Sequence, residues 1–322
     1  MNKKIAIVTG EPNSVNSEII SKSWLKNKSI FKKCFLIGNF SLIQNQIKRL
    51  KFKIPMKKIS DLDNIDSSKK IKIFNIPIKF KNSFNVSDSE SKKYIKKSLK
   101  LAHNLSKRKD IFGFINCPID KKRSFKLKNF GVTDYLAKAN KTNGTEAMLI
   151  YNKNLGVVPI TTHISVKKIS RTLSKELLIK KIKTINEFYM KFLRQKPIIA
   201  VLGLNPHNDE MSKNSEEKKI IIPAIKKLLE NKIKVIGPYP ADTIFSNKSK
   251  YKFDVIVGMY HDQVLAPFKA LYNFNAINIT IGLKYIRVSP DHGIAKDLIG
   301  KKIANPQSFI KTVEFLNKIK NV

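Results

Sequence analysis

Phe253-Asp254-Val255-Ile256-Val257-Gly258 runs without a break into Met259-Tyr260-His261-Asp262-Gln263-Val264-Leu265-Ala266-Pro267. The first six residues are mostly apolar and read as a parallel-sheet strand buried on both faces. An imidazole, a carboxylate and an amide then come in succession, poor material for a core and good material for a metal or catalytic site. Open α/β sheets bind their ligands beyond the carboxyl ends of their strands. Position and chemistry therefore agree. Lys269, Asn278, Arg287 and Asp291-His292-Gly293 follow closely and can converge on the same place.

Working outward, further strands are expected over 4–9, 34–37, 71–76, 111–115, 147–151, 157–161, 197–204, 234–236 and 276–281. Helices are expected near 18–26, over 40–50, from 132 for a short stretch, over 174–193, at 295–299 and over 306–319. Ser87 with Glu90 three residues on makes a capping box for a helix reaching about 107. A helix over 216–231 should be kinked or split by Pro223. Helices alternating with strands argue for an α/β fold. His103 lies beside the apolar stripe of Ile95, Leu99 and Ala102 and reads as a half-buried helix residue.

The chain has 322 residues, enough for roughly two domains. Its 42% hydrophobic content is ordinary for a globular protein. Cys34 and Cys117 form no close pair, which fits a reducing, cytoplasmic setting without a structural disulfide. No apolar run approaches the ~20 residues of a membrane span, so no membrane partner is expected. The apolar run behind the basic start ends at Gly10-Glu11, too short for a signal peptide. The formal net charge of +39 suggests a polyanion partner. Against that, lysine supplies nearly all of it, spread along the chain, beside heavy use of isoleucine and asparagine, as AT-rich codons dictate. Nucleic-acid surfaces lean on arginine, and no specific nucleic acid is expected.

His163, His207 and His261 each come shortly after a predicted strand. If those strand ends share one sheet edge, three imidazoles can meet there and hold a catalytic divalent metal. The spacing carries no short-range metal motif, and separate structural histidines fit it equally. The chain contains no GxG and no GxxxxGK[ST], which removes both the glycine-rich dinucleotide fingerprint and the phosphate loop.

A family resemblance rests on motifs spread over most of the chain. They are Ile5-Ala6-Ile7-Val8-Thr9-Gly10-Glu11-Pro12, Pro118-Ile119 with Lys121, Thr162-His163-Ile164, Gly203-Leu204-Asn205-Pro206-His207, and Gly237-Pro238-Tyr239-Pro240-Ala241-Asp242-Thr243. Met259 to Gln263, Asn278-Ile279-Thr280-Ile281-Gly282-Leu283, and Ile286-Arg287 with Asp291-His292-Gly293 complete the set. With these the chain resembles the 4-hydroxythreonine-4-phosphate dehydrogenases of vitamin B6 biosynthesis.

The resemblance implies a two-domain α/β/α subunit similar to isocitrate and isopropylmalate dehydrogenases, which also lack the glycine-rich fingerprint. Residues 1–128 with 283–322 would form the first domain. Residues 129–282 would form the second, dimer-forming one, with the active site in the cleft. The implied activity is oxidation of 4-phosphooxy-L-threonine with NAD, then decarboxylation to 3-amino-2-oxopropyl phosphate. The implied ligands of a divalent ion (Zn, Mg or Co) are His163, His207 and His261, one of them supplied by the partner of a homodimer. Thr133, Lys269, Asn278 and Arg287 are the implied substrate contacts, Lys269 and Arg287 suiting a phosphate and a carboxylate. Asp242 and Asp262 are the catalytic candidates, either moving a proton or orienting a ligating imidazole.

The sequence departs from the family pattern at residues 13–17, at Asp120, at Val132 where the family has a histidine, and at Val264. These departures keep a second reading open, a metal-dependent dehydrogenase of another phosphorylated hydroxy acid such as a four-carbon sugar-acid phosphate. A third, a polyanion-binding protein without catalysis, rests on the charge alone.

Overall fold

A computed structural model describes residues 3–62, 65, 70–125, 131–142, 144–246, 252–273 and 275–320. Among them are twelve strands: β1 Lys4–Val8, β2 Cys34–Gly38, β3 Met56–Ile59, β4 Ile71–Asn75, β5 Ile111–Asn116, β6 Ala147–Asn152, β7 Leu155–Thr161, β8 Ile199–Leu202, β9 Val235–Tyr239, β10 Val255–Tyr260, β11 Ile277–Ile281 and β12 Ile286–Pro290. The chain divides into two compact units, Met1–Val132 with Lys284–Asn321, and Thr133–Leu283. The boundary expected at residues 128 and 129 lies outside the described residues.

In the first unit the strand order is β3-β4-β2-β1-β5-β12, every pair parallel. Ile5, Ala6, Ile7 and Val8 are all fully buried, as a central parallel strand requires. The helix Phe40–Arg49 opens on Asn39, whose Oδ1 accepts the Leu42 N–H at 2.9 Å. Ser87 caps the helix Asp88–Leu105 by accepting the Glu90 N–H. The Glu90 carboxylate takes the Lys79 N–H and the Lys93 ammonium. His103 is buried and joins Tyr285 through Nδ1 at 2.7 Å, so it is a satisfied core residue.

The second unit has the order β11-β6-β7-β10-β8-β9. Here β6 runs antiparallel to both neighbours, and the remaining pairs are parallel. The reversal comes from a tight hairpin in which the Asn154 N–H bonds Asn152 Oδ1 at 3.0 Å, an Asx turn standing in for glycine. Ser174 caps the helix Lys175–Phe188, which ends in a π turn over Tyr189–Leu193. The 216–231 region is split as expected, into a π turn over Glu217–Ile221 and a helix Ile222–Glu230. Pro223 sits in the first turn of that helix, where no N–H is needed.

Several elements differ from expectation, the longest of them the helix His261–Tyr272, which the periodicity did not announce. Met56–Ile59 is a strand that its two lysines disguise, and it lies at the sheet edge where lysine is favoured. Ile286–Pro290 is a second unexpected strand, fully buried although it contains Arg287. The helix expected at 295–299 is a single 3-10 turn, Lys296–Leu298.

Tyr94 ties β1 to the start of the helix Phe40–Arg49. Its hydroxyl accepts the Asn39 N–H at 3.1 Å and bonds Thr9 Oγ1 at 2.7 Å. Burial pushes its phenol up to about 12 from the ordinary 10. The unfolded chain therefore loses this proton at lower pH than the folded one. The resulting stability is present below pH 10 and is lost as pH rises from 10 to 12. Tyr94→Phe should cost about 1–3 kcal/mol at neutral pH by stranding the Asn39 N–H. It should also flatten the alkaline decline, both measured by denaturant unfolding across pH.

Candidate active site

In the second unit β7, β10 and β8 lie side by side with β10 in the middle. Each leads into one of the three candidate histidines. β7 ends at Thr161, two residues before His163. β10 runs on through Met259 and Tyr260, so these belong to the strand, and His261 opens the helix His261–Tyr272. β8 ends at Leu202, and Gly203 to Pro206 lead to His207.

The His163 and His261 rings stand 5.9 Å apart between centroids, their planes inclined by 38°. Two imidazoles sharing one ion, with metal–nitrogen distances of about 2.0–2.1 Å, need ring centroids on the order of 5–6 Å apart. His261 Nδ1 is joined to Asp262 Oδ1 at 2.6 Å. That contact occupies Nδ1 and leaves Nε2 as the nitrogen that could bind an ion. The pair thus fits a divalent ion. The structure does not bring His207 into a three-residue group with them. Among the described residues no three His, Cys, Asp or Glu side chains stand close enough to hold a metal.

Side chains lace the three strand ends together. Thr161 Oγ1 donates to Met259 O at 2.7 Å, joining β7 to β10. The buried Gln263 amide accepts the Met259 N–H at 2.7 Å and donates to Gly203 O at 2.8 Å, joining β10 to β8. Glu217, fully buried, accepts the Leu204 and Asn205 N–H groups on Oε1 at 2.7 and 2.9 Å. Its Oε2 accepts from Asn205 Nδ2 at 3.0 Å. Glu216 takes the same amide and the Ser170 hydroxyl, and these bonds hold its carboxyl below the usual range. Beyond this clamp every residue from His207 to Met211 has positive φ, between 44° and 59°. Left-handed backbone costs roughly 1–2 kcal/mol per non-glycine residue. The turn depends on its surroundings for its shape.

The candidate substrate residues fall in both units. Thr133 Oγ1 meets Thr280 Oγ1 at 3.4 Å. Asn278, two residues before Thr280 on β11, shares its face. Asn278 Oδ1 is buried without a hydrogen-bond partner, an acceptor that a ligand donor would satisfy. Lys269 is exposed on the helix that His261 opens, and Asp242 is exposed in the short helix Ala241–Ile244. Arg287 lies in the first unit, 4% exposed, with Nε donating to Asn116 Oδ1. Burial pushes its guanidinium down to about 9, still protonated at neutral pH. A buried cation of this kind is favourable company for an anion. Val132 is buried. The sequence did not announce Glu217 or Thr280, and it showed Gln263 without its role. An amide buried just after a strand is the one signal that could have found the Gln263 clamp.

The architecture is a fold shared with dehydrogenases of known structure. The chain superposes on a β-decarboxylating dehydrogenase of Thermococcus kodakarensis with a TM-score of 0.53 and 12% identity, covering 99% of this chain and 84% of that one. The chain belongs to the family of the pyridoxal phosphate biosynthetic protein PdxA, whose model matches residues 31–316. A 4-hydroxythreonine-4-phosphate dehydrogenase of Sulfurihydrogenibium sp. is 37% identical over 99% of both chains. The crystal structure of 4-hydroxythreonine-4-phosphate dehydrogenase from Klebsiella pneumoniae superposes with a TM-score of 0.85 and 26% identity, covering 98% of this chain and 99% of that one. These relatives place the chain among the oxidoreductases. No helix among the described residues is long and apolar enough to cross a membrane.

A Cβ added at Gly203 would collide with Asn208 Oδ1 and lie 2.9 Å from Glu217 Oε1. Gly203→Ala should therefore cost about 1–3 kcal/mol in unfolding free energy. Gly293→Ala, with nothing within 4 Å of the new methyl, should stay within about 0.5 kcal/mol of the parent in the same denaturation experiment.

Proposed function

We propose that this chain oxidises the secondary alcohol of 4-phosphooxy-L-threonine with NAD. The β-keto acid formed then loses carbon dioxide and gives 3-amino-2-oxopropyl phosphate, for pyridoxal phosphate synthesis. The observation that carries the proposal is the His163–His261 pair with Asp262 on His261 Nδ1, at adjacent strand ends in a chain of this family. His163, His207 and His261 would hold a Zn, Mg or Co ion, which when bound lowers the cost of negative charge on the substrate oxygen. NAD, when bound, accepts the hydride, by a route other than the glycine-rich turn that the chain lacks. Arg287 and Lys269 bind the carboxylate and phosphate, while Thr133 and Asn278 orient the substrate through hydrogen bonds. Asp262 keeps the His261 ring in its ligating tautomer, which leaves Asp242 to handle the proton. Pairing of two imidazoles within one chain supports a homodimer whose second subunit brings the third. The two buried free thiols accord with the cytoplasm.

The test is reduction of NAD by purified protein with 4-phosphooxy-L-threonine and added divalent metal, run beside other phosphorylated hydroxy acids. Turnover with 4-phosphooxy-L-threonine is expected. Turnover only with a four-carbon sugar-acid phosphate would favour the alternative substrate, toward which the buried Val132 points, since it offers no hydrogen bond where the family has a histidine. Asp262→Asn should weaken metal binding about 10–100-fold, read by titration with cobalt.

On this reading, His163 and His261 come from one subunit and His207 from its partner, which decides which inactive variants should complement. Mixed His207→Ala and His261→Ala subunits should recover about a quarter of the parental activity, because half the dimers are mixed and one of their two sites is whole. Mixed His163→Ala and His261→Ala subunits should stay inactive, since both residues come from the same chain. Recovery in the second mixture would rule out this division of ligands.

A further inference from the structure

Glu217 has no place in the reaction outlined above, yet it is fully buried and ten residues from His207 along the chain. Its carboxylate gathers three N–H groups, those of Leu204, Asn205 and the Asn205 side chain, at 2.7, 2.9 and 3.0 Å. Two successive backbone N–H groups converging on one oxygen form a nest, an arrangement that binds anions. Here the anion is built into the chain. Gly203 lacks a side chain where Glu217 and Asn208 crowd in. His207 then begins five left-handed residues. Such a run does not hold its own shape, and the nest is its last fixed point before the imidazole.

We infer that Glu217 is the positioning residue for His207, its carboxylate setting the turn that aims this ring. The inference rests on the reading of His207 as a metal ligand. Its negative charge matters as well as its shape. A glutamine there accepts at one end only and presents an NH2 group toward Asn205 Nδ2 or a backbone N–H. Glu216, which reaches Asn205 Nδ2 and Ser170 from the neighbouring position, steadies the same turn from outside.

The experiment uses full-length protein with isotopically labelled histidine, first without metal. The His207 ring signal is assigned by its loss in His207→Ala. In Glu217→Gln that signal should shift and broaden, while the His103 signal, from the other unit, stays in place. Glu217→Asp, which keeps the charge on a shorter arm and serves if the glutamine variant does not fold, should move the signal less. With cobalt added, Glu217→Gln should bind about tenfold more weakly, as expected for loss of a ligand's support. A variant that unfolds more easily but keeps the parental His207 signal would overturn the inference and leave Glu217 a purely structural residue. Equal cobalt binding by the parent and by His207→Ala would instead refute the metal reading, and the metal-free ring signal would still decide the role of Glu217.

Discussion

The amide of Gln263 is the interaction on which the second unit's strand-end geometry depends. It accepts from Met259 and donates to Gly203, so one planar group spans the carboxyl ends of β10 and β8. Both partners are backbone groups beyond the reach of regular ladder bonding. Unmet, each would carry the full cost of a buried orphan, about 1–3 kcal/mol. Gly258 and Gly203 have no room for a side chain: a Cβ at Gly258 would lie 2.5 Å from Val264 Cγ1 and 2.9 Å from Gln263 Oε1, and one at Gly203 would collide with Asn208. Gly258 thus leaves room for Gln263 and Val264, and Gly203 for Asn208 and Glu217.

Rigidity and strain then divide between neighbouring segments. β10 passes straight into the helix Tyr260 precedes, so His261 inherits the order of both elements. His207 stands on irregular backbone whose conformation local preference opposes. Strand ends with such unlike supports draw their order from buried acceptors as well as from secondary structure. That is why two glutamates and a glutamine cluster behind residues that face solvent.

Much of this was legible in the sequence because the residues concerned obey simple rules. The apolar run before Met259 could only be a buried strand, and the polar residues after it could only lie at its end. Pro223 split its helix because a ring nitrogen cannot donate. Other features were hidden by their own chemistry. Met56-Lys57-Lys58-Ile59 lacks the apolar content of a core strand because it is an edge. Ile286–Pro290 hides because Arg287, read as a substrate contact, interrupts a short apolar run that is buried within the sheet. The β6–β7 hairpin turns on Asn152 and Asn154 instead of glycine, so its reversal left no trace in the periodicity. The work of Glu217 depends on a fold that returns it to a turn ten residues earlier, and no pattern in the chain encodes that return.

The first unit is made from both ends of the chain, whereas Thr133–Leu283 is continuous. During synthesis the continuous unit has all its strands as soon as Leu283 emerges. The first unit still waits for β12, the strand that covers the open side of β5. Until then β5 presents an unpaired, largely apolar edge, a template for unwanted pairing. The last forty or so residues therefore decide how long a nascent chain remains vulnerable to aggregation. A truncation there would act on the fate of the earliest strands, while every strand of Thr133–Leu283 remains in the chain.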